Sequence, residues 1–119
     1  MPAMREESPP AREPRVEMAV LTLEGTLDAA AASDLLEGLQ RQLLQSNRVV
    51  LDLDGVTQAD SAGLGALVRA LKAARDAGGD LVLARPRPEV ARVMNEIGLD
   101  QVLCVVGDLP EARSRLSKT

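Results

Sequence analysis

The stretch V-V-L-D-L-D-G-V-T-Q-A-D-S-A-G-L-G-A-L-V-R-A-L, Val49 to Leu71, joins an apolar run to a short polar turn and then to a helical pattern. A run rich in Val and Leu, bounded by Asp and Gly, predicts a buried central strand. Beyond it Leu64, Leu67, Val68 and Leu71 recur at helical spacing, which lays one face of the following helix on a sheet. Asp60-Ser61-Ala62-Gly63 stands at the junction. Ser61 can cap the helix through its hydroxyl, and Asp60 suits the partial positive charge of a helix N-terminus. Ala62, Gly63 and Gly65 leave the first turn almost bare of side chains and open to a partner's close approach. A serine at such a place is most often a cap and nothing more, so the local pattern alone makes this turn a candidate site.

Outward from that segment the chain alternates. Met1 to Pro14 holds four of the seven prolines, which sustain neither a helix nor a central strand, and reads as a flexible arm over residues 1–14 with room for one extra edge strand. Val16 to Glu24 predicts an early strand, closed by Gly25-Thr26-Leu27-Asp28. From Ala29 to Gln45, Ala32, Leu35, Leu36, Leu39, Leu43 and Leu44 form an apolar stripe, with Asp28 or Ser33 as cap. Gly78-Gly79 suits a left-handed stop after the second helix. Leu81 to Ala84 is a third apolar run, and Arg85-Pro86-Arg87-Pro88 forces a turn. Pro88 opens a third helix whose buried face is Val90, Val93, Met94 and Ile97, and Gly98 ends it. Gln101 to Val106 reads as a fourth strand, and Asp108 to Glu111 has capping-box spacing before a short last helix. Regular β-α alternation predicts an α/β fold with a mixed or mostly parallel sheet.

Composition narrows the function. One domain of 119 residues buries roughly two thirds of its unfolded surface without staples. The chain has no Phe, Tyr or Trp, so its core is Leu, Val, Ala, Ile and Met, and it offers no stacking platform for bases or sugars. A formal net charge of -4 argues against nucleic acid or an anionic membrane as a direct partner and suits a basic protein. The single cysteine, Cys104, lies in an apolar run and is expected as core filler. No apolar segment is long enough to span a bilayer or to act as a signal peptide, which leads to the expectation of a cytoplasmic protein.

With no histidine, triad hydrolysis and histidine-bearing zinc sites are excluded. Asp52, Asp54 and Asp60 are oxygen donors of the kind Mg2+ takes. Alternation puts Asp52 and Asp54 on one side of a strand end, which serves equally as a solvated rim, and no metal or cofactor is assigned. Gly63-Leu64-Gly65 is not a Walker loop, since no G-K-[ST] follows. A bare helix N-terminus still suits a phosphate, bound or carried covalently on Ser61.

Taken in order, G-T-L-D at Gly25 to Asp28, V-V-L-D-L-D-G-V at Val49 to Val56, D-S-A-G-L-G at Asp60 to Gly65, G-G-D-L-V-L at Gly78 to Leu83 and P-E-V-A-R-V-M-N-E-I-G-L at Pro88 to Leu99 resemble the STAS domains. Among these the likeness is to the bacterial anti-sigma-factor antagonists, and it runs from about Glu17 to Ala112. The resemblance implies a STAS domain over residues 15–119, a four- or five-stranded mixed sheet with helices mainly on one face, and a non-enzymatic regulator. It implies that Ser61 is the phosphoacceptor of an anti-sigma factor with serine-kinase activity, and that a PP2C-type phosphatase reverses the modification. Asp28, Asp60, Ser61, Ala62, Gly63 and Leu64 are then the expected partner-binding set. Ala62 replaces a second serine found in many members, and Gln58 replaces a large apolar residue. Two other roles stay open: a non-phosphorylated STAS subunit of a membrane transport complex or scaffold, and a Mg-dependent phosphoryl-transfer enzyme built on Asp60.

Overall fold

The computed structural model describes residues 18–117. Its elements run β1 (Met18–Leu27), α1 (Ala29–Leu43), β2 (Arg48–Ala59), α2 (Ser61–Asp76), β3 (Asp80–Ala84), α3 (Pro88–Glu96), a single 3-10 turn (Leu99–Gln101), β4 (Cys104–Val106) and α4 (Leu109–Ser117). The strands lie side by side in the order of the chain, β1-β2-β3-β4, and all three pairings are parallel. The described sheet is parallel throughout rather than mixed, and the extra edge strand foreseen in the N-terminal arm falls outside the described residues, as does the expected arm itself.

Sequential order explains the layering. Each crossover steps the same way across the sheet, so connections of one hand place their helices on one face. Leu35 and Leu39 of α1, Leu64, Leu67 and Leu71 of α2, and Val90 and Met94 of α3 pack with Val49, Leu51, Leu53, Leu81 and Leu83 on that face. The opposite face carries Val50, Val82, Ala84 and Val106 under Ala112 and Leu116 of α4. Both faces of β2 and β3 are therefore buried, which is why the Val49 run is continuously apolar. Ala66, Ala70 and Ala74, all at 0% exposure, let α2 lie close on a sheet that has no aromatic side chain to fill a wider gap.

Several boundaries differ from the sequence reading. β1 continues through Gly25 to Leu27, and β2 continues through Asp54-Gly55 to Ala59 where a polar turn was expected. Each extension supplies the other's partner: Glu24 pairs with Gly55, Gly25 with Val56, Thr26 with Gln58 and Leu27 with Ala59, with two register shifts. The fourth strand is only three residues long, because Leu99 to Gln101 coil after Gly98, whose φ of +82° turns the chain left-handed. Leu44 and Ile97, expected in buried stripes, lie just past their helices and are exposed. Cys104 is half-buried at the edge strand, packed against the margin of the Val50, Val82 and Leu116 cluster and 3.2 Å from the Arg115 guanidinium, so it fills the core only at its rim.

Candidate functional site

β3 spans five residues and β2 twelve, so β1 and β2 outrun the sheet together as a two-stranded ribbon. The ribbon ends at the Leu27–Ala59 pair, and on each strand the next residue is an aspartate that begins a helix. Asp28 caps α1, its Oδ1 accepting the Ala31 N–H at 3.0 Å. Asp60 caps α2, its Oδ1 accepting the Gly63 N–H at 2.9 Å. The Asp60 N–H donates to the Leu27 carbonyl at 3.2 Å, tying the start of α2 to the end of β1. Two helix N-termini, each with partial positive charge, thus open side by side at the carboxyl end of the sheet.

Ser61 is the first residue of α2 and Asp60 is its cap, which corrects the expectation that the Ser61 hydroxyl would do that work. The strand end decides the matter: Ala59 is the last paired residue, so the extended backbone a cap needs falls at Asp60. Released from capping, Ser61 is exposed, and its hydroxyl has no hydrogen-bond partner among the described residues. Ala62 is exposed beside it and Asp28 is half-buried. Gly63 and Leu64 turn inward instead. Leu64 is 3% exposed in the core, and the Gly63 backbone lies against the Leu27 carbonyl, so neither offers a surface to a partner. Gly63 serves close packing of helix on strand. Thr57 and Gln58, outside the expected partner-binding set, are exposed on the ribbon just before Asp60.

The paired carboxylates of β2 have a different employment. Asp52 is 5% exposed, the sole buried charged side chain among the described residues. Arg85 grips it in a bidentate pair, Nε to Oδ1 at 3.1 Å and Nη2 to Oδ2 at 2.7 Å. That guanidinium holds the Asp52 carboxyl below the usual carboxylate range, outweighing the opposite effect of burial, and the N–H of Asp54 adds a further lowering hydrogen bond. Asp54 is exposed, and its carbonyl accepts from Arg87 Nε at 2.7 Å. Among the described residues no three carboxylate or thiol side chains gather where they could hold a metal ion. Both Asp52 oxygens are taken by Arg85 and by the Asp54 N–H. Neither arginine's role was visible in the sequence, where each precedes a proline and reads only as part of a turn. Their partners lie 33 residues away.

The model of the STAS domain matches residues 10–112. The chain belongs to the STAS domain family. A 100-residue segment, 82% of this STAS chain, is 30% identical to the RsbT co-antagonist protein RsbRA of Bacillus subtilis, of which it covers 36%. A 66-residue segment, 56% of the chain, is 33% identical to the putative anti-sigma factor antagonist TM1081 homolog of Thermotoga neapolitana and covers 58% of it. The chain therefore spans less than two thirds of the length of these curated relatives. Among solved structures, a putative anti-sigma factor antagonist from Thermotoga maritima superposes with a TM-score of 0.76 at 25% identity, over 84% of this chain and 87% of that one. The fold is shared at greater distance by the phosphorylated form of the Bacillus cell fate determinant SpoIIAA, with TM-score 0.63, 21% identity and coverage of 85% and 92%. A sulfate transporter family protein from Wolinella succinogenes shares it too, with TM-score 0.73, 19% identity and coverage of 86% and 88%. No helix among the described residues is long and apolar enough to cross a membrane.

Proposed function

We propose that this STAS domain is an anti-sigma-factor antagonist that binds an anti-sigma factor, releases its sigma factor, and is switched off by phosphorylation of Ser61. The observation that carries the reading is the Ser61 hydroxyl, exposed and unbonded at the first position of α2, next to a cap that does not need it. A phosphoryl group there gains the favourable field of the helix N-terminus, so the scaffold tolerates it. A docked protein does not: the group adds bulk and about -1.5 to -2 charges to a surface already carrying Asp60 and, half-buried, Asp28. Two like charges ~4 Å apart at an effective dielectric of 20 repel by roughly 4 kcal/mol before screening, and half of that weakens binding about thirtyfold.

Relatives named as antagonists, and a protein of the same fold solved in a phosphorylated form, support this assignment. The exposed part of the expected contact set, Asp60, Ser61 and Ala62, forms the docking face with half-buried Asp28 beside it, and Thr57 and Gln58 extend it. The partner is an anti-sigma factor with serine-kinase activity, and a PP2C-type phosphatase resets the switch. The test is mass spectrometry of the purified protein after incubation with ATP and an anti-sigma kinase encoded near its gene. One phosphate on the wild type and none on Ser61→Ala is the expected result. An unchanged mass, with the same face captured by a permease complex, points instead to the transport-subunit role.

A further inference from the structure

We propose that Arg85 and Arg87 are positioning residues for Ser61, which hold the β2 extension at the angle from which α2 presents its first turn; this rests on the reading of Ser61 as the phosphoacceptor. β3 ends at Ala84, opposite Asp52, while β2 runs on through Leu53 to Ala59. On its β1 side that extension is paired at Gly55, Val56, Gln58 and Ala59, across two register shifts. On its other side no strand remains among the described residues, and two arginine side chains stand where a longer β3 would be.

Arg85 bridges three strands. Its backbone N–H donates to the Val106 carbonyl of β4 at 3.0 Å, and its φ of +58° turns the chain out of β3 while the guanidinium reaches back to Asp52 of β2. A non-glycine residue adopts that conformation at a cost, so contacts around it must impose it. Asp52 then relays the grip, its Oδ1 accepting the Asp54 N–H at 3.1 Å, and Arg87 Nε donates to the Asp54 carbonyl at 2.7 Å. The N–H and C=O of one strand residue point to the same side, so Asp54 has both backbone groups satisfied by side chains on its strandless side. The geometry of a planar bidentate fork fixes direction as well as distance, which a lysine would not. From Asp54 the ribbon leads in six residues to Asp60, whose cap sets the start of α2.

The alternative is that the clamp merely anchors the segment leading into α3. Native-state amide exchange separates the two, because it reports which side loosens. The variants are Arg87→Ala, which removes one exposed donor, and the double variant Asp52→Asn with Arg85→Gln, which leaves no buried charge unpaired. Both should exchange at least tenfold faster at the amides from Gly55 to Gly63, with Leu81 to Leu83 unchanged. Arg87→Lys should restore protection only in part. In kinase assays the same variants should raise the KM for the protein severalfold with kcat held. Acceleration confined to residues 86–91, with the kinase KM unmoved, overturns the proposal. If the exchange pattern appears but the wild type accepts no phosphate, the clamp stands and the phosphoacceptor reading falls; a phosphorylated wild type with an unmoved exchange pattern gives the reverse.

Discussion

Gly63 of α2 and Leu27 of β1 meet backbone to backbone: a Cβ built on Gly63 would overlap the Leu27 carbonyl and lie 2.8 Å from the Leu27 Cγ. The helix that carries Ser61 therefore sits as low on the end of β1 as a peptide backbone allows. This contact fixes the height of the site above the sheet. Gly63→Ala must push α2 outward or unpair the end of β1, and overpacking of this kind costs about 3 kcal/mol. Urea unfolding should show that loss, whereas Gly65→Ala, whose Cβ would meet only the Arg69 guanidinium at 3.6 Å, should be neutral or stabilising.

The twin caps each hold one helix start through a single carboxylate oxygen. Asp60→Ala leaves the Gly63 N–H without its acceptor and should cost ~1 kcal/mol, while Asp60→Asn keeps an acceptor oxygen and should cost a few tenths. Asp28→Ala should behave as Asp60→Ala does, through the Ala31 N–H. Thermal melts of the four proteins, wild type included, check the ranking. Equal melting temperatures for Asp60→Ala and Asp60→Asn would show that the cap hydrogen bond is idle.

The same geometry shows which features could be read from residue order. The Val49 run declares a strand buried on both faces because nothing polar interrupts it until Asp52, and Gly78, with φ +88°, closes α2 where two glycines stand together. Asp54-Gly55 looks like a turn by local chemistry. In the fold Gly55 is instead a concession to the neighbouring strand, since a Cβ there would lie 2.8 Å from the Glu24 Cγ and 3.0 Å from the Leu23 carbonyl. The position of the candidate site was legible, but the roles within it were not. Asp60 and Ser61 are both cap-forming residue types, and the choice between them depends on where the β1–β2 pairing stops. The Asp52–Arg85 pair has no local signal at all: it forms only when β3 ends one strand away from β2's carboxylate.

Acid should act through that pair. Arg85's hydrogen bonds lower the Asp52 pKa in the folded chain below the roughly 3.9 of an unfolded aspartate. The unfolded state then binds the proton more readily, so the pair's contribution is complete above about pH 4 and is lost as pH falls through the folded value. Asp52→Asn should be less stable than wild type at pH 7, with the gap closing below about pH 4. Urea midpoints measured from pH 3 to pH 7 test this. Parallel pH profiles for the two proteins would mean that the pair adds nothing to stability.

Substitutions at Ser61 separate the switch from the scaffold. Ser61 is exposed and makes no contact that folding needs, so Ser61→Ala should lie within about 0.5 kcal/mol of the wild type. Ser61→Asp places a charge where α2's N-terminus attracts it and the Asp60 carboxylate repels it; these effects oppose, and stability should again change little. Binding should split the pair widely. Titration calorimetry with the anti-sigma partner should find Ser61→Ala at wild-type affinity and Ser61→Asp weaker by about thirtyfold, the equivalent of roughly 2 kcal/mol. Raising the salt concentration should narrow the difference, because screening over a Debye length of about 8 Å near physiological ionic strength weakens an exposed charge more than it weakens apolar contact. A difference that persists at high salt would identify the added bulk, rather than its charge, as what the partner refuses.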